Sequence, residues 1–222
     1  MQAMLRGGCL VVGVAMLLTV PQVGSAADSA AELGVEAQKH CDLGRRATDR
    51  ATRLAHFQQG QALAERAVAA DDTHADGHFA LFCSLGEQMR IDGESWNPGS
   101  VFSFRRMVRE LDRTLELNPN HLDALSSKGT LLVRLPVLLG GDIAKGEQML
   151  RQVVQRDPKA IHARLTLAKA YAGRGSYDRA ITLATEALSL AQADHREDLI
   201  PDAQKTVAEL REAYAEVLTV RR

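Results

Sequence analysis

The sequence predicts an all-α fold in which helical hairpins stack into a solenoid that a C-terminal helix caps. Apolar residues recur at helical spacing along most of the chain, and no long segment alternates apolar and polar residues. The prolines that follow Pro21 lie at breaks or in first helical turns. Because proline cannot donate a backbone hydrogen bond and disfavours helix at the residue before it, these positions divide the chain into short helices. They are Pro98, Pro119, Pro136, Pro158 and Pro201.

The composition of the 222-residue chain fits one repeat domain. Acidic and basic residues nearly balance, with a formal net charge of −1, and no block of like charge occurs. Nucleic-acid binding requires a basic stripe or patch on the protein. We therefore expect no nucleic-acid partner.

The N terminus has the features of a secretory signal peptide. Arg6 precedes an apolar run over residues 10–20, and small residues follow up to a predicted cleavage after Ala26 or Ala27. The apolar run is too short for a comfortable membrane span, although an uncleaved anchor is the alternative. We expect a periplasmic or secreted protein with no stable membrane span after cleavage.

The first two helix pairs follow this leader. Helices are predicted over about 28–46, 52–70, 74–90 and 102–117. The apolar positions of the first helix are Leu33, Val35, Ala37 and Leu43. Small residues recur along the second helix at Gly60, Ala64 and Ala67. Gly, Asn, Pro and Ser make residues 91–100 a long loop, which contains Trp96, the only tryptophan.

The third pair begins after Asn118-Pro119, and its second helix runs from Ile143 to Arg156. The turn between its two helices, residues 135–142, reads Leu-Pro-Val-Leu-Leu-Gly-Gly-Asp and is both enlarged and apolar. Its last residue, Asp142, is a suitable N-cap for the helix that follows.

The fourth pair occupies residues 157–190, where glycines at 173 and 175 separate two short amphipathic helices. Ser176 is the predicted N-cap of the second helix. A last helix over 198–220 covers the end of the stack, as terminal elements of repeat proteins do. The predicted organisation is a signal peptide over 1–26 and a repeat domain over 27–222, with units over about 28–72, 73–119, 120–158 and 159–192.

The small and aromatic positions of the fourth pair resemble the tetratricopeptide repeat, a unit of about 34 residues. Counted from Ile161, the positions Ala168, Tyr171, Ala180 and Ala187 fall where that motif has small, aromatic, small and small residues. The resemblance implies a scaffold that binds a protein or peptide partner, with the first helix of each pair lining a concave groove.

A narrower resemblance depends on the enlarged third turn, Gly146-Glu147 and Asp157-Pro158. Over residues 60–190 the chain is similar to a subgroup that includes periplasmic accessory proteins of TRAP transporters and regulators of microtubule dynamics. The transporter-accessory relatives imply a homo-oligomer and a cavity that conducts a ligand. An accessory protein that binds a small apolar ligand is therefore the alternative function.

The two enlarged turns, 91–100 and 135–142, both join the first helix of a unit to its second. In a solenoid such turns lie along the same edge. The simpler interpretation is that they pack against each other as a small apolar cluster. The other is that they form a contact site, whose candidate residues are Trp96, Val137, Leu138 and Leu139.

The concave groove is the competing candidate site. The repeat register predicts that a mixture of polar and apolar side chains points into it, which suits adaptable peptide binding. The carboxylate clamp of some relatives is missing, because Lys169 and Arg134 stand almost alone. The predicted groove residues are Asp76, Phe79, Cys83, Asp123, Ser126, Ser127, Thr130, Arg134, His162, Leu165 and Lys169.

No residue pattern indicates catalysis, a cofactor or a metal centre. His74 and His78 lie one helical turn apart, but a usable metal site needs a further ligand, so we expect surface histidines. Gly140-Gly141-Asp142 lacks the Gly-Lys-Ser/Thr of a phosphate-binding loop. Cys41 and Cys83 can form one disulfide in an oxidising compartment or remain two small buried apolar residues, and their spacing does not decide between the two.

Overall fold

The computed structural model describes residues 26–93 and 98–220, and within these ranges all regular structure is helical. The predicted all-α fold is confirmed. Residues 1–25, which hold most of the predicted signal peptide, lie outside the described residues, and so does Trp96. The α-helices are α1 (Ala26–Arg46), α2 (Arg50–Ala70), α3 (Ala75–Asp92), α4 (Pro98–Leu117), α5 (Leu122–Arg134), α6 (Ile143–Arg156), α7 (Ile161–Gly173), α8 (Tyr177–Ala193) and α9 (Ile200–Val220), with a short 3-10 helix at Val137–Leu139 between α5 and α6.

The helices form a linear stack of hairpins. The pairs α1–α2, α3–α4, α5–α6 and α7–α8 pack against each other. Each hairpin contacts the next through the first helix of the later pair: α3 packs on α1 and α2, α5 on α4, and α7 on α5 and α6. Helix α9 covers α8 and also contacts α7. This arrangement is a tetratricopeptide-like helical solenoid with a C-terminal cap.

The buried face of α1 consists mainly of small residues. Of the predicted apolar positions, Ala37 is fully buried and Leu33 packs against the core, whereas the other two are exposed. Val35 is 64% exposed, and Leu43 is exposed as well. A Cβ at Gly34 would lie 3.3 Å from the backbone nitrogen of Gly77, so a side chain there would require the backbone of α3 to shift by a few tenths of an ångström. The residues that α1 buries are Ala30, Gly34, Ala37, Cys41 and Gly44, spaced three and four apart.

Small residues also set the helix spacing in the later units. Ala168, Ala180 and Ala187 are fully buried, in agreement with the predicted repeat positions. Between α5 and α6, a Cβ at Gly146 would lie only 2.7 Å from the carbonyl oxygen of Gly129. A larger residue at either glycine would force these two helices apart.

Helix boundaries differ from the prediction mainly around α4 and α8. Helix α4 begins at Pro98 rather than near residue 102, because proline fits the first helical turn, where its missing N–H is not needed. Asp142 caps α6 as predicted and accepts a hydrogen bond from the backbone nitrogen of Lys145 at 2.9 Å. Ser176 occupies the N-cap position of α8, but its side chain makes no capping hydrogen bond.

His78 is buried, so the prediction of a surface histidine is wrong for this residue. Its Nδ1 lies 2.7 Å from Glu110 Oε2 on α4, and its Nε2 lies 2.9 Å from the carbonyl oxygen of Asp72. Burial alone would lower the pKa of His78, but these two hydrogen bonds outweigh it and raise the pKa above the ordinary value. The residue thus links α3 to α4 and to the end of the first hairpin.

A buried carboxylate joins the third and fourth hairpins. Glu147 on α6 is almost completely buried. Its Oε2 lies 3.1 Å from Arg151 Nη1 and 3.0 Å from Arg174 Nη2, the latter in the turn between α7 and α8. Because a buried charge is stable only when paired, this contact constrains how the fourth hairpin sits on the third.

A disulfide joins Cys41 of α1 to Cys83 of α3, with their Cα atoms 6.3 Å apart. The sequence had left this pairing open. The bridge is buried beside Phe57 of α2. It therefore ties together the first helices of two consecutive hairpins.

We expect Ala168→Leu and Ala180→Leu to destabilise the stack. Both alanines are fully buried against α9 residues Val207 and Leu210, and overpacking of this kind costs about 1–3 kcal/mol. Lys159→Ala is the control, because Lys159 is exposed and contributes only a surface ion pair with Asp194. Thermal unfolding followed by circular dichroism provides the measurement. Equal melting temperatures for all three variants would contradict the repeat register.

We expect reduction of the Cys41–Cys83 disulfide to lower the free energy of unfolding by about 2–4 kcal/mol. The bond closes a loop between cysteines 42 positions apart, which restricts the unfolded chain. Denaturant titrations with and without a thiol reductant measure the change. The double variant Cys41→Ser/Cys83→Ser is the control, and its midpoint should not respond to the reductant. An unchanged midpoint in the unsubstituted protein would show that the bond does not stabilise the fold.

Candidate partner-binding surfaces

The residues predicted to bind a partner fall on two different parts of the molecule. One is the turn between α5 and α6, whose residues Val137, Leu138 and Leu139 we call the apolar tip. The other is the concave groove, which we define below by the charged side chains around His162. Trp96, the remaining predicted contact residue of the edge, lies outside the described residues.

The apolar tip projects into solvent. Val137, Leu138 and Leu139 are 81%, 98% and 60% exposed. The interpretation in which the two enlarged turns pack into a shared apolar cluster is therefore wrong for these three residues. Their exposed apolar surface is available for contact with another molecule.

The tip is held in place by its own backbone. The N–H groups of Gly140 and Gly141 donate to the carbonyl oxygens of Val137 and Pro136, each at 3.0 Å. Gly140 has φ of 89°, which favours glycine. A Cβ at Gly141 would overlap the carbonyl oxygen of Leu135. The two glycines thus specify a compact turn, and the exposure of the tip follows from that turn.

His162 of α7 is one of the predicted groove residues. Its side chain reaches solvent, yet charged groups from both ends of the stack are close enough to act on it. Burial together with the cations of Arg45 and Arg196 lowers the pKa of His162 below the ordinary value. Asp198 and Glu87 oppose this shift. The imidazole is therefore close enough to α1, α3 and the connection between α8 and α9 for their charges to influence its pKa.

Ion pairs fix the charged side chains of the groove. Glu87 of α3 accepts hydrogen bonds from Arg45 Nε at 2.8 Å and from Arg90 Nη2 at 2.6 Å. Arg196 binds Asp198 with two hydrogen bonds, at 2.8 and 2.9 Å. Burial would raise the pKa of Glu87, but Arg45 and Arg90 outweigh it and keep the pKa below the ordinary value.

A second candidate surface lies on α1, α3 and the start of α5. A surface cleft of about 400 Å³ is lined by residues of α1, α3 and the start of α5. In it, the Phe79 ring lies 4.5 Å from the His121 ring, and His121 Nε2 lies 3.4 Å from Asp76 Oδ1. The predicted groove residue Asp123 lines the same cleft, as does the exposed Val35.

The other predicted groove residues have varied environments. The hydroxyl of Thr130 lies 3.3 Å from that of Thr166, so it joins α5 to α7. Lys169 Nζ lies 3.4 Å from Asp202 Oδ1 of α9. Arg134 is exposed at the end of α5, next to the apolar tip. Two predictions are wrong: Leu165 is buried in the core under α9, and Cys83 is buried in the disulfide.

The sequence did not indicate Arg45, Glu87, Arg196 or Asp198 as groove residues. Arg45 lies at the end of a helix whose apolar pattern was misinterpreted, and Arg196 lies in what reads as a polar linker. They act together on the pKa of His162 only because the fold brings hairpins far apart in sequence near it. A helical projection of α3 would have found Glu87, since it continues the spacing of Asp76, Phe79 and Cys83 by four residues.

Two negative findings apply to the described part of the chain. It contains no group of three or more His, Cys, Asp or Glu side chains positioned to hold a metal ion. None of its helices combines the length and the apolar character needed to cross a membrane.

Residues 138–197 match the family model described as tetratricopeptide repeat. The matched segment begins in the apolar tip and extends through α6, α7 and α8. No curated protein sequence matches the chain.

Several solved structures are similar to the chain. TTC0263, described as a thermophilic tetratricopeptide protein of Thermus thermophilus, is 19% identical, with a TM-score of 0.48, over 87% of this chain and 99% of that one. MamA of Desulfovibrio magneticus RS-1 is 17% identical, with a TM-score of 0.45, over 83% and 98%. Yeast Tom70 is 17% identical, with a TM-score of 0.44, over 90% of this chain and 44% of its own.

We expect His162 to titrate below the ordinary histidine range and Arg196→Gln to raise its pKa, because one of the cations that lower it is removed. A lowered pKa means that the unfolded chain binds this proton more readily, so the contribution of His162 to stability falls as the pH drops through the unfolded-state value. The pKa of His78 is shifted in the opposite direction, so the pH dependence of global unfolding would not isolate the contribution of His162. NMR titration of the individual imidazoles is therefore the measurement. Arg66→Gln, on the exposed face of α2, is the control. An unchanged His162 pKa in Arg196→Gln would show that the two residues are not close.

Proposed function

We propose that the chain is a non-catalytic scaffold that binds a segment of a partner protein in its concave groove. The observation that supports this most directly is the environment of His162, an exposed side chain whose pKa is influenced by charges from α1, α3 and the α8–α9 connection. Helix α1 packs on α2 and α3 and not extensively on α7, α8 or α9. We place the partner segment between α1 and these C-terminal helices.

The chemistry of the groove fits a peptide segment with both charged and apolar side chains. Arg45, Arg90 and Arg196 can bind acidic side chains, and Glu87 and Asp198 can bind basic ones. In each ion pair the geometry is already fixed, so little side-chain entropy is lost on binding. The cleft at Val35 and Phe79 offers apolar contact beside these charges. Such a mixture favours recognition of a protein segment over recognition of a uniformly charged polymer.

The transporter-accessory function is the second proposal, and a specific cleft bears on it. An opening of about 400 Å³ between α6, α7 and α8 has an apolar floor of Val154, Leu167 and Leu183. The lining also carries Arg151, Arg179 and Asp178. A small ligand bound there would meet charges of both signs beside the apolar floor, whereas the resemblance implied a small apolar ligand.

We also propose that the protein is exported, to the periplasm or beyond the cell. The N-terminal pattern of Arg6, an apolar run and small residues supports this. The disulfide between Cys41 and Cys83 supports it independently, because such bonds persist in oxidising compartments.

Site-specific photo-cross-linking in cells tests the binding site. A photoreactive residue at His162 should give a covalent adduct with a specific protein, because this position is at the centre of the groove. The same residue at Arg66, exposed on α2, is the matched control and should give none. Arg45→Ala and Arg196→Ala together should weaken the adduct at His162 while the helix content stays the same. Adducts of equal yield at both positions would contradict groove binding, and co-purification of only a small molecule would favour the second proposal.

A further inference from the structure

We propose that the edge of the stack that carries the apolar tip binds an anionic lipid surface. This inference is independent of the groove and does not require a protein partner there. It is based on a rigid turn whose three large apolar side chains face solvent, on further exposed apolar residues beside it, and on cations around them that have no acidic partner among the described residues.

The apolar surface extends beyond the tip on both sides. Ile143, the first residue of α6, is exposed, and Phe102 in the first part of α4 is 71% exposed. Helices α4 and α5 pack against each other and are joined by the short connection over residues 118–121, so the start of α4 lies at the same edge of the stack as the end of α5. Phe102 and the tip are therefore on the same edge of the stack.

The charges of this edge are mainly basic. Arg134 ends α5 three residues before the tip, and Lys145 lies in the first turn of α6. On α4, Arg105 and Arg109 follow Phe102 at helical spacing on its exposed face. The acidic residue in the tip's turn, Asp142, is engaged in capping α6. No ion pair within the described residues involves any of these four cations. The turn over 91–100, predicted for the same edge, contributes Asp92 and Glu94 to its sequence, and no acidic residue occurs between positions 98 and 109.

This combination is the one that binds a membrane interface. Exposed Leu, Val and Phe side chains can enter the boundary between head groups and acyl chains, and long basic side chains beside them can contact anionic head groups. Each Lys or Arg close to an anionic membrane strengthens binding. The turn is already fixed by its two glycines, so little ordering of the tip is needed when it inserts.

A second copy of the chain is a weaker explanation of the same surface. A stable protein interface buries about 800 Å² on each side. A tip of three side chains is convex, so two tips in contact would bury far less than this. Two copies would also bring unpaired cations together, and like charges at an interface are unfavourable.

A single tryptophan placed at the tip tests the proposal in the full chain. The substitution Leu138→Trp in a Trp96→Phe background reports on the tip alone, and Leu138 is so exposed that the change should not disturb folding. Vesicles of phosphatidylcholine mixed with phosphatidylglycerol should shift its emission to shorter wavelength, and brominated lipids should quench it. Val35→Trp in the same background is the matched control. It is exposed on another face, in the groove, and should show neither change.

Charge variants separate lipid binding from other causes. Arg134→Gln and Lys145→Gln should each weaken vesicle binding by about fivefold at low salt, and the effect should diminish at high salt. Vesicles of phosphatidylcholine alone should bind more weakly than the anionic ones. Because the N-terminal apolar segment is the same in every variant, it cannot produce these differences.

Two results would overturn the proposal. One is an unchanged emission of the Leu138→Trp protein with anionic vesicles while its helix content is intact. The other is a shift that occurs without vesicles and grows with protein concentration, which would assign the edge to self-association.

Discussion

Close approach between neighbouring helices is the constraint on which the rest of the structure depends. Alanine and glycine occupy the contact points, as at Gly129 and Gly146, where backbone lies almost against backbone. A stack of this kind does not tolerate larger side chains at these contact points, because protein interiors are packed as densely as organic crystals. The position of each hairpin on the last, and hence the curvature of the groove, follows from which residues are small.

The same constraint explains where sequence interpretation succeeded and where it failed. In the fourth hairpin the small residues Ala168, Ala180 and Ala187 were sufficient to predict the repeat and its fold. In α1 only Ala37 was predicted among the small buried residues, because an amphipathic pattern is normally interpreted by placing its largest apolar residues inside. Val35 and Leu43 face solvent because α1 lies so close to α2 and α3 that only small side chains fit between them.

The candidate sites show a second limit of sequence interpretation. The exposure of the apolar tip is a local property of a turn with two glycines, so a sequence pattern can indicate it. The groove around His162 is a long-range property: Arg45 and Arg196 are far apart in sequence, and no spacing rule connects them. His78 is similar, since its partner Glu110 lies on the next helix and converts an apparent surface residue into a buried ionic contact. The helices could thus be predicted from the sequence, whereas the charged environment depends on their final stacking.

The covalent bond between Cys41 and Cys83 makes the N-terminal end of the solenoid more resistant to local unfolding than the C-terminal end. In a linear array, each hairpin is held by its neighbours alone, so both ends tend to fray before the middle. The disulfide removes one of these two starting points, because α1 cannot separate from α3 while the bond is intact. Local unfolding should then begin at α9 and proceed hairpin by hairpin toward the N terminus. The wall of the groove that carries Arg45 would be the last to come apart, and in a reducing environment this polarity would disappear.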